Sequence, residues 1–386
     1  MKKIKNDTNW IYGLKILAAL CVLIHHYALF FFPAFINGNP DYVRTGKAIE
    51  LKILKTPFNI FSWGGNVCVT IFFIISGFLI YYKFFNQKKV DLKENVTKRY
   101  IKLALPMLFS SIIYFLVILV FHIRKDALLC SNVLGNVGSY CNYKINFHNI
   151  YAVFYDALFG FYVNGNTTLN PVLWTMKGEI VGSVCVLLFG QILIKSKNKK
   201  LMYAILILLL YQTVFLSFIL GMILCELFMS DKYNKFLSNI FTKIILFILG
   251  IYFCGFTFEV FTTPLYQILK LHLQDHLMFY HTVGSFLIIL VIIKSEFIKR
   301  ILSIKIFKKY ANISFSIYLF HWLILNTISM TLMNLLLRKF TYKISFLTMF
   351  FISTIIILVL SNYAGNYIIK LTNTITNKTY KKYFEK

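Results

Sequence analysis

Apolar residues run along this chain in long blocks separated by short basic segments. Blocks of spanning or near-spanning length cover residues 10–32, 58–82, 102–121, 171–194, 201–213, 214–229, 241–259, 277–294, 312–337 and 344–369. By the criterion that ~20 apolar residues cross a ~30 Å hydrocarbon layer, they predict an all-α, polytopic transmembrane protein of about ten spans. Two places are less regular. Residues 201–229 are too long for one upright helix and short for two, so a break is placed at Tyr211-Gln212-Thr213. Residues 149–163 are aromatic but short and are interrupted by Asp156, which suits a helix lying in the interface rather than crossing it. No solenoid repeat, low-complexity linker or self-sufficient soluble segment interrupts the blocks, so residues 1–386 form a single transmembrane domain in this reading.

Composition supports the pattern. The 386 residues are 58% hydrophobic and only 14% charged, with a mean hydropathy of +0.69, whereas soluble domains carry about a quarter charged residues. A net charge of +27 would suit nucleic acid if it formed one patch on a soluble domain. Here the cations are spread between apolar blocks, which argues for a lipid bilayer as partner and against nucleic acid. With ten spans both termini share one side. The segments on that side hold more than twice the Lys and Arg of the opposite connections, which places both ends in the cytoplasm and the chain in the cell inner membrane as a multi-pass protein. The basic start MKKIKNDTNW resembles a signal peptide, but the apolar stretch after it contains Lys15 and two histidines and leads to no small-residue cleavage site, so it is expected to remain as the first span. Five cysteines fall in apolar blocks. Cys130 and Cys141 share one polar loop, where a disulfide and two free thiols are equally compatible with the sequence. No metal-ligand spacing occurs, so no metal is predicted.

Polar residues inside the blocks are the candidates for chemistry, because a charge in a spanning helix is costly and usually turned inward. The first block carries Lys15 and His26, eleven residues apart; on an α-helix that is ~20° beyond three turns and ~16 Å of rise, so both lie on one face at different depths. Either alone reads as an anchor or a helix-to-helix hydrogen-bonder, and the pair on one stripe points to function. Ser76-Gly77 interrupts the second block, and small residues there also permit close helix approach. Arg99 and Lys102 share a face at the start of the third. Glu179 lies two turns inside the fourth, where a carboxylate needs a partner or a proton. His321 sits in the ninth, as readily a structural hydrogen-bonder as a ligand. By depth, the cations gather toward the cytoplasmic side, while His26 and Glu179 lie ~9 and ~12 Å from the far end of their spans. Arg and Lys suit phosphates, and a histidine oriented by a carboxylate suits general-base work on a hydroxyl.

These residues fall into six motifs that together resemble the acyltransferase-3 family of membrane O-acetyltransferases, bacterial enzymes that modify cell-surface carbohydrates. The basic-x10-His signature stands as Lys15 and His26; FFxxSGF as Phe72, Phe73, Ser76, Gly77 and Phe78; basic-x-x-basic before proline as Arg99, Lys102 and Pro106. LWxLxxE stands as Leu173, Trp174 and Glu179; FxxG as Phe218 and Gly221; SxSxYLxH as Ser314, Ser316, Tyr318, Leu319 and His321. The resemblance implies acetyl-CoA or a related acyl-CoA as donor. It implies as acceptor a carbohydrate hydroxyl on O-antigen, capsule, exopolysaccharide or peptidoglycan; the esterase-like extension that some members carry is not expected here, because the sequence stops soon after the tenth block. On that reading Lys15, Arg99 and Lys102, with Ser76, hold the donor. His26 deprotonates the acceptor or carries the acyl group in relay, and Glu179 orients or charge-balances it, with His321, Ser314, Tyr318 and Trp174 as further polar candidates. Lysine at 15 and 102 keeps charge but lacks the bidentate guanidinium fork, and Lys177 is an added charge expected to reach the outer interface. Two other polytopic classes are weighed against it. A proton-coupled transporter would use the same in-membrane His, Glu and Lys but tends to show duplicated halves, which are not visible here. A glycan polymerase or flippase would have no need of the six motifs in order. Oligomeric state and the identity of the glycan are open at this level.

Overall fold

The computed structural model describes residues 7–56, 64–87, 90–121, 150–163, 165, 170–230, 234–256 and 277–383. The Cys130–Cys141 question and most of the 122–170 and 260–276 connections lie outside these residues. Within them the chain is helical, with no strand. The helices used below are α1 (Trp10–Phe31), α2 (Asn66–Asn86), α3 (Leu92–Phe121), α4 (Ile150–Val163), α5 (Thr175–Leu193), α6 (Lys199–Leu210), α7 (Leu216–Met229), α8 (Ile240–Cys254), α9 (Leu277–Lys294), α10 (Ile313–Leu337) and α11 (Tyr342–Tyr383).

Every apolar block of the sequence coincides with a helix, and the protein is a polytopic membrane protein. Among the described residues seven helices are long and apolar enough to cross a bilayer: α1, α2, α3, α5 with its 3-10 lead-in, α9, α10 and α11. α6, α7 and α8 have 12, 14 and 15 residues, about 18–23 Å of rise, short of an upright crossing. The break between α6 and α7 falls at residues 211–215. There the Thr213 hydroxyl donates to the Leu210 carbonyl at 2.9 Å and accepts from the Phe215 amide at 3.3 Å, so a side chain takes over the backbone's hydrogen bonds. α3 starts about ten residues earlier than its apolar block. Asp91 accepts from the Glu94 amide at 2.8 Å and caps the helix, which puts Lys98, Arg99 and Lys102 on helical turns instead of in a loop. α11 continues well past the apolar block, with Thr374 and Thr376 bonding back to the carbonyls of Lys370 and Thr372.

The chain groups into two compact units that interleave along the sequence: residues 1–22, 53–96 and 178–311 in the first, and 23–52, 97–177 and 312–386 in the second. In the first, α2 packs on α7 and α9, and α8 packs on α9. Close approach at α2 and α7 comes from Gly77 and Gly221. A Cβ on Gly77 would lie 2.9 Å from Phe218 Cα, and one on Gly221 would lie 2.8 Å from Phe78 N. The two helix backbones therefore touch, as small residues allow in lipid. Hydroxyl pairs fix the register: Thr70 with Ser285 at 2.7 Å joins α2 to α9, and Ser217 with Thr282 at 3.0 Å joins α7 to α9. Glu226 of α7 pairs with Lys199 at 2.8 Å and accepts from the Tyr81 hydroxyl at 2.7 Å.

In the second unit α10 packs along α11. The Tyr27 and Ser329 hydroxyls are 2.7 Å apart, and Ser329 donates to Ser353 at 2.8 Å, which ties the end of α1 to α10 and α11. Residues 325–329 of α10 form a π-turn, a departure from α geometry common near functional sites. The segment 150–163 is a helix with a π-turn at Asp156–Gly160. Tyr151, Tyr155 and Phe159 are exposed on it, while Val153, Ala157 and Phe161 are buried. Lys177 ends on the carbonyl of Val163 at 2.7 Å, a cation at a helix C-terminus. At the other end of the unit the Lys98 ammonium lies 3.8 Å over the Tyr380 ring, so the basic start of α3 meets the basic end of α11.

The contact at Gly221 gives the fold a specific test. Gly221→Leu should separate α2 from α7 and cost about 1–3 kcal/mol or more, seen as a fall of several degrees in the melting temperature of the detergent-purified protein. Gly46→Ala, whose Cβ would meet nothing within 4 Å, should leave it unchanged.

Candidate functional site

The second unit holds two histidines bonded directly to each other. α1 runs unbroken from Trp10 to Phe31, so Lys15 and His26 share one helix as their spacing predicted. His26 is half-buried, and its Nδ1 lies 2.9 Å from Nε2 of His321 on α10. The two rings stack at 4.9 Å between centroids, tilted by 29°. His321 is fully buried, at 0% exposure, and its Nδ1 is 3.0 Å from the carbonyl oxygen of Ile317, one turn earlier on the same helix. Trp322, the next residue, sets its ring edge-on to His26 at 5.1 Å and to Phe30 at 5.3 Å, and the His25 ring stands edge-on at 5.4 Å. Three aromatic contacts and one hydrogen bond thus fix the orientation of the His26 ring.

Around this pair, the entrance to α5 is tied to α10. The Tyr318 hydroxyl donates to the Val172 carbonyl and is 2.8 Å from the Thr175 hydroxyl. The Asn170 amide donates to the Leu319 carbonyl at 3.0 Å. Pro171 opens the 3-10 turn that carries Trp174, which is 42% exposed. Ser314 is buried, as is Ser316, whose hydroxyl meets α11 where Gly365 leaves room for it. In the SxSxYLxH stretch Ser314, Tyr318 and His321 share a helix face by spacing, with His321 meeting His26 and the Tyr318 hydroxyl holding the segment before α5, while the Leu319 carbonyl accepts from Asn170 and Ser316 faces α11.

Arg99 and Lys102 also belong to the second unit, three residues apart on α3; Arg99 is half-buried and Lys102 exposed. In the first unit, Glu179 is 7% exposed and its Oε1 accepts from the Ser76 hydroxyl at 2.5 Å. The carboxylate two turns inside its helix has the partner that burial demands. That partner is the serine expected to face the donor. Lys15 is half-buried in the same unit.

The structure therefore brings together His26 with His321, and Ser76 with Glu179. Sequence reasoning left His321 undecided between two roles, and it passed over Thr175, Asn170, Tyr27 and Ser329, which fasten the elements around the pair. The available signal was weak: hydroxyl and amide residues next to motif positions in otherwise apolar helices. Among the described residues no group of three or more His, Cys, Asp or Glu stands together as metal ligands.

The chain matches the model of the acyltransferase-3 group, described as an acyltransferase domain, over residues 8–363, and belongs to that family. No curated protein matches it. No solved structure matches it either.

Replacing Ser76 by Ala should remove a donor from a buried carboxylate and destabilise the protein by about 1–3 kcal/mol. Thermal unfolding of the variant in detergent checks this, with Ser76→Thr, which keeps a hydroxyl, expected to recover most of the loss.

Proposed function

We propose that this membrane acyltransferase moves an acetyl or related acyl group from acyl-CoA to a hydroxyl of a cell-surface or lipid-linked carbohydrate, acting in the inner membrane. The observation that carries the reading is His26: a half-exposed imidazole held by a second, buried imidazole within an acyltransferase domain. An oriented base of this kind is what activation of an alcohol requires. In the reaction His26 takes the proton of the acceptor hydroxyl as its oxygen attacks the thioester carbonyl carbon. The C–S bond then breaks, and the thiolate leaves with the proton returned from His26, giving the ester and free CoA.

The cations of the motifs fit the donor. Arg99 and Lys102 share a helix face and Lys15 sits ~16 Å along α1 from His26; a CoA molecule likewise carries its phosphates and its thioester at opposite ends. Lysines at 15 and 102 act as point charges and Arg99 supplies the bidentate fork. Glu179, hydrogen-bonded by Ser76, is the buried carboxylate of the first unit and supplies its negative charge there. Tyr318 lies against the segment before α5 and Trp174 lies on it, which supports that segment as a place for acceptor contacts, with buried Ser314 a further polar candidate on α10.

His26→Ala should abolish acyl transfer in membranes while leaving insertion intact, with a melting temperature lowered by a few degrees because the buried His321 Nε2 loses its partner. Mass spectrometry of surface glycans from cells with and without the protein should show the acyl mark on one sugar and its loss in the variant; full retention of the mark would remove His26 from the mechanism. Acetyl-CoA should raise the melting temperature of the wild-type protein, because binding only to the folded state is stabilising. Arg99→Ala should weaken that shift.

A further inference from the structure

The hydrogen bonds of the pair fix where its protons sit. A carbonyl oxygen only accepts, so the contact of His321 Nδ1 with the Ile317 carbonyl at 3.0 Å requires hydrogen on Nδ1. His321 is fully buried, and an imidazolium there would be a charge taken out of water. In the neutral ring with hydrogen on Nδ1, Nε2 is an acceptor. The nitrogen facing it at 2.9 Å is His26 Nδ1, which then has to be the donor. One tautomer of His26 satisfies this chain of bonds: hydrogen on Nδ1, lone pair on Nε2.

We infer that His321 is a positioning residue that sets the tautomer of His26, so that His26 Nε2 is the nitrogen that accepts the proton of the acceptor hydroxyl. The Ile317 carbonyl is the fixed end of the relay, since it lies in the backbone of α10 and cannot turn. His321 transmits that fixed polarity across its ring to His26, the part that a carboxylate plays in other oriented histidines. When His26 Nε2 takes up the hydroxyl proton, the imidazolium still has its Nδ1–H directed at the His321 lone pair, so the charge that forms is stabilised without any rearrangement. No atom beyond acceptor, thioester and His26 enters the bond changes. His321 keeps its proton throughout.

The inference rests on His26 being the proton acceptor of the proposed reaction, and its test separates the two. Solid-state nitrogen NMR of the full-length protein in bilayers, with 15N-labelled histidine and His26 assigned by difference from His26→Asn, reads the tautomer with no substrate present. The expected result is a protonated Nδ1 and an unprotonated Nε2 on His26; the opposite tautomer overturns the inference even if His26→Ala is inactive. A variant pair supplies the functional arm. In His321→Gln the side-chain carbonyl reaches the place of Nε2 and can accept from His26. In His321→Asn the amide reaches only the place of Nδ1 and can bond Ile317. A tautomer-setting role predicts that His321→Asn lowers kcat about 10²-fold or more with KM for the acyl donor unchanged, and that His321→Gln recovers a substantial part. A purely structural role for the Ile317 bond predicts the reverse order, and that order would overturn the inference. Activity of His26→Ala equal to wild type, with the tautomer as expected, would instead remove the proposed reaction and leave the proton assignment standing.

Discussion

Inside hydrocarbon a polar group has no water to fall back on, and each one has to find its partner in the protein. The arrangement of this chain follows from that constraint more than from its apolar surface, which is much the same on every helix. Thr70 with Ser285, Ser217 with Thr282 and Tyr27 with Ser329 and Ser353 each join helices far apart in sequence. Each pair forms at one axial register only. Where Gly77 and Gly221 bring the α2 and α7 backbones together, dispersion contacts supply attraction, but the hydroxyl pairs determine which turn meets which. The same rule governs the residues with chemistry: Glu179 receives a hydroxyl from Ser76, and His321 is anchored to its own helix through Ile317 before it reaches His26.

How much of this could be read from the sequence follows the range of each interaction. Helix positions are local, and every apolar block overlaps a helix, although the short helices Ile49–Leu54, Glu296–Leu302 and Lys305–Tyr310 lie outside the blocks; even the break after Leu210 was visible, because Tyr211-Gln212-Thr213 interrupts a run that would otherwise continue. Helix lengths were less legible. Asp91 starts α3 ahead of its apolar block, and threonines carry α11 beyond its own, because capping and back-bonding depend on single side chains that hydropathy averages away. Three of the described helices have only 12, 14 and 15 residues, so blocks that count as spans by hydropathy stand beside seven helices that qualify by length as well among the described residues.

For the candidate site, periodicity put Lys15 and His26 on one stripe, and α1 is continuous between them. Periodicity gives a face, but not the neighbour that the face meets. The partner of His26 is 295 residues away, and nothing local to either histidine encodes the other. Ser76 illustrates the same limit. Its place in FFxxSGF suggested the donor, whereas its hydroxyl is committed to a carboxylate 103 residues away. A resemblance in motifs can mark such residues as a set, yet which member touches which is a property of helix packing.

The choice of a second imidazole, in place of a carboxylate, to orient a base in a membrane has a physical rationale. A carboxylate beside His26 would bring a permanent charge whose desolvation has to be offset at all times, including when no substrate is bound. A neutral ring anchored to a backbone carbonyl orients its neighbour equally well and is cheaper to bury. The cost is a weaker base, since a neutral ring stabilises the imidazolium less than an anion in its place would. That cost is tolerable if the acyl donor is already activated, as a thioester is, because the proton then needs to leave only as the carbon–oxygen bond forms. A membrane enzyme working on an unactivated ester or amide would gain more from a buried carboxylate at this position, so the His26–His321 pairing itself favours an activated donor for the proposed reaction.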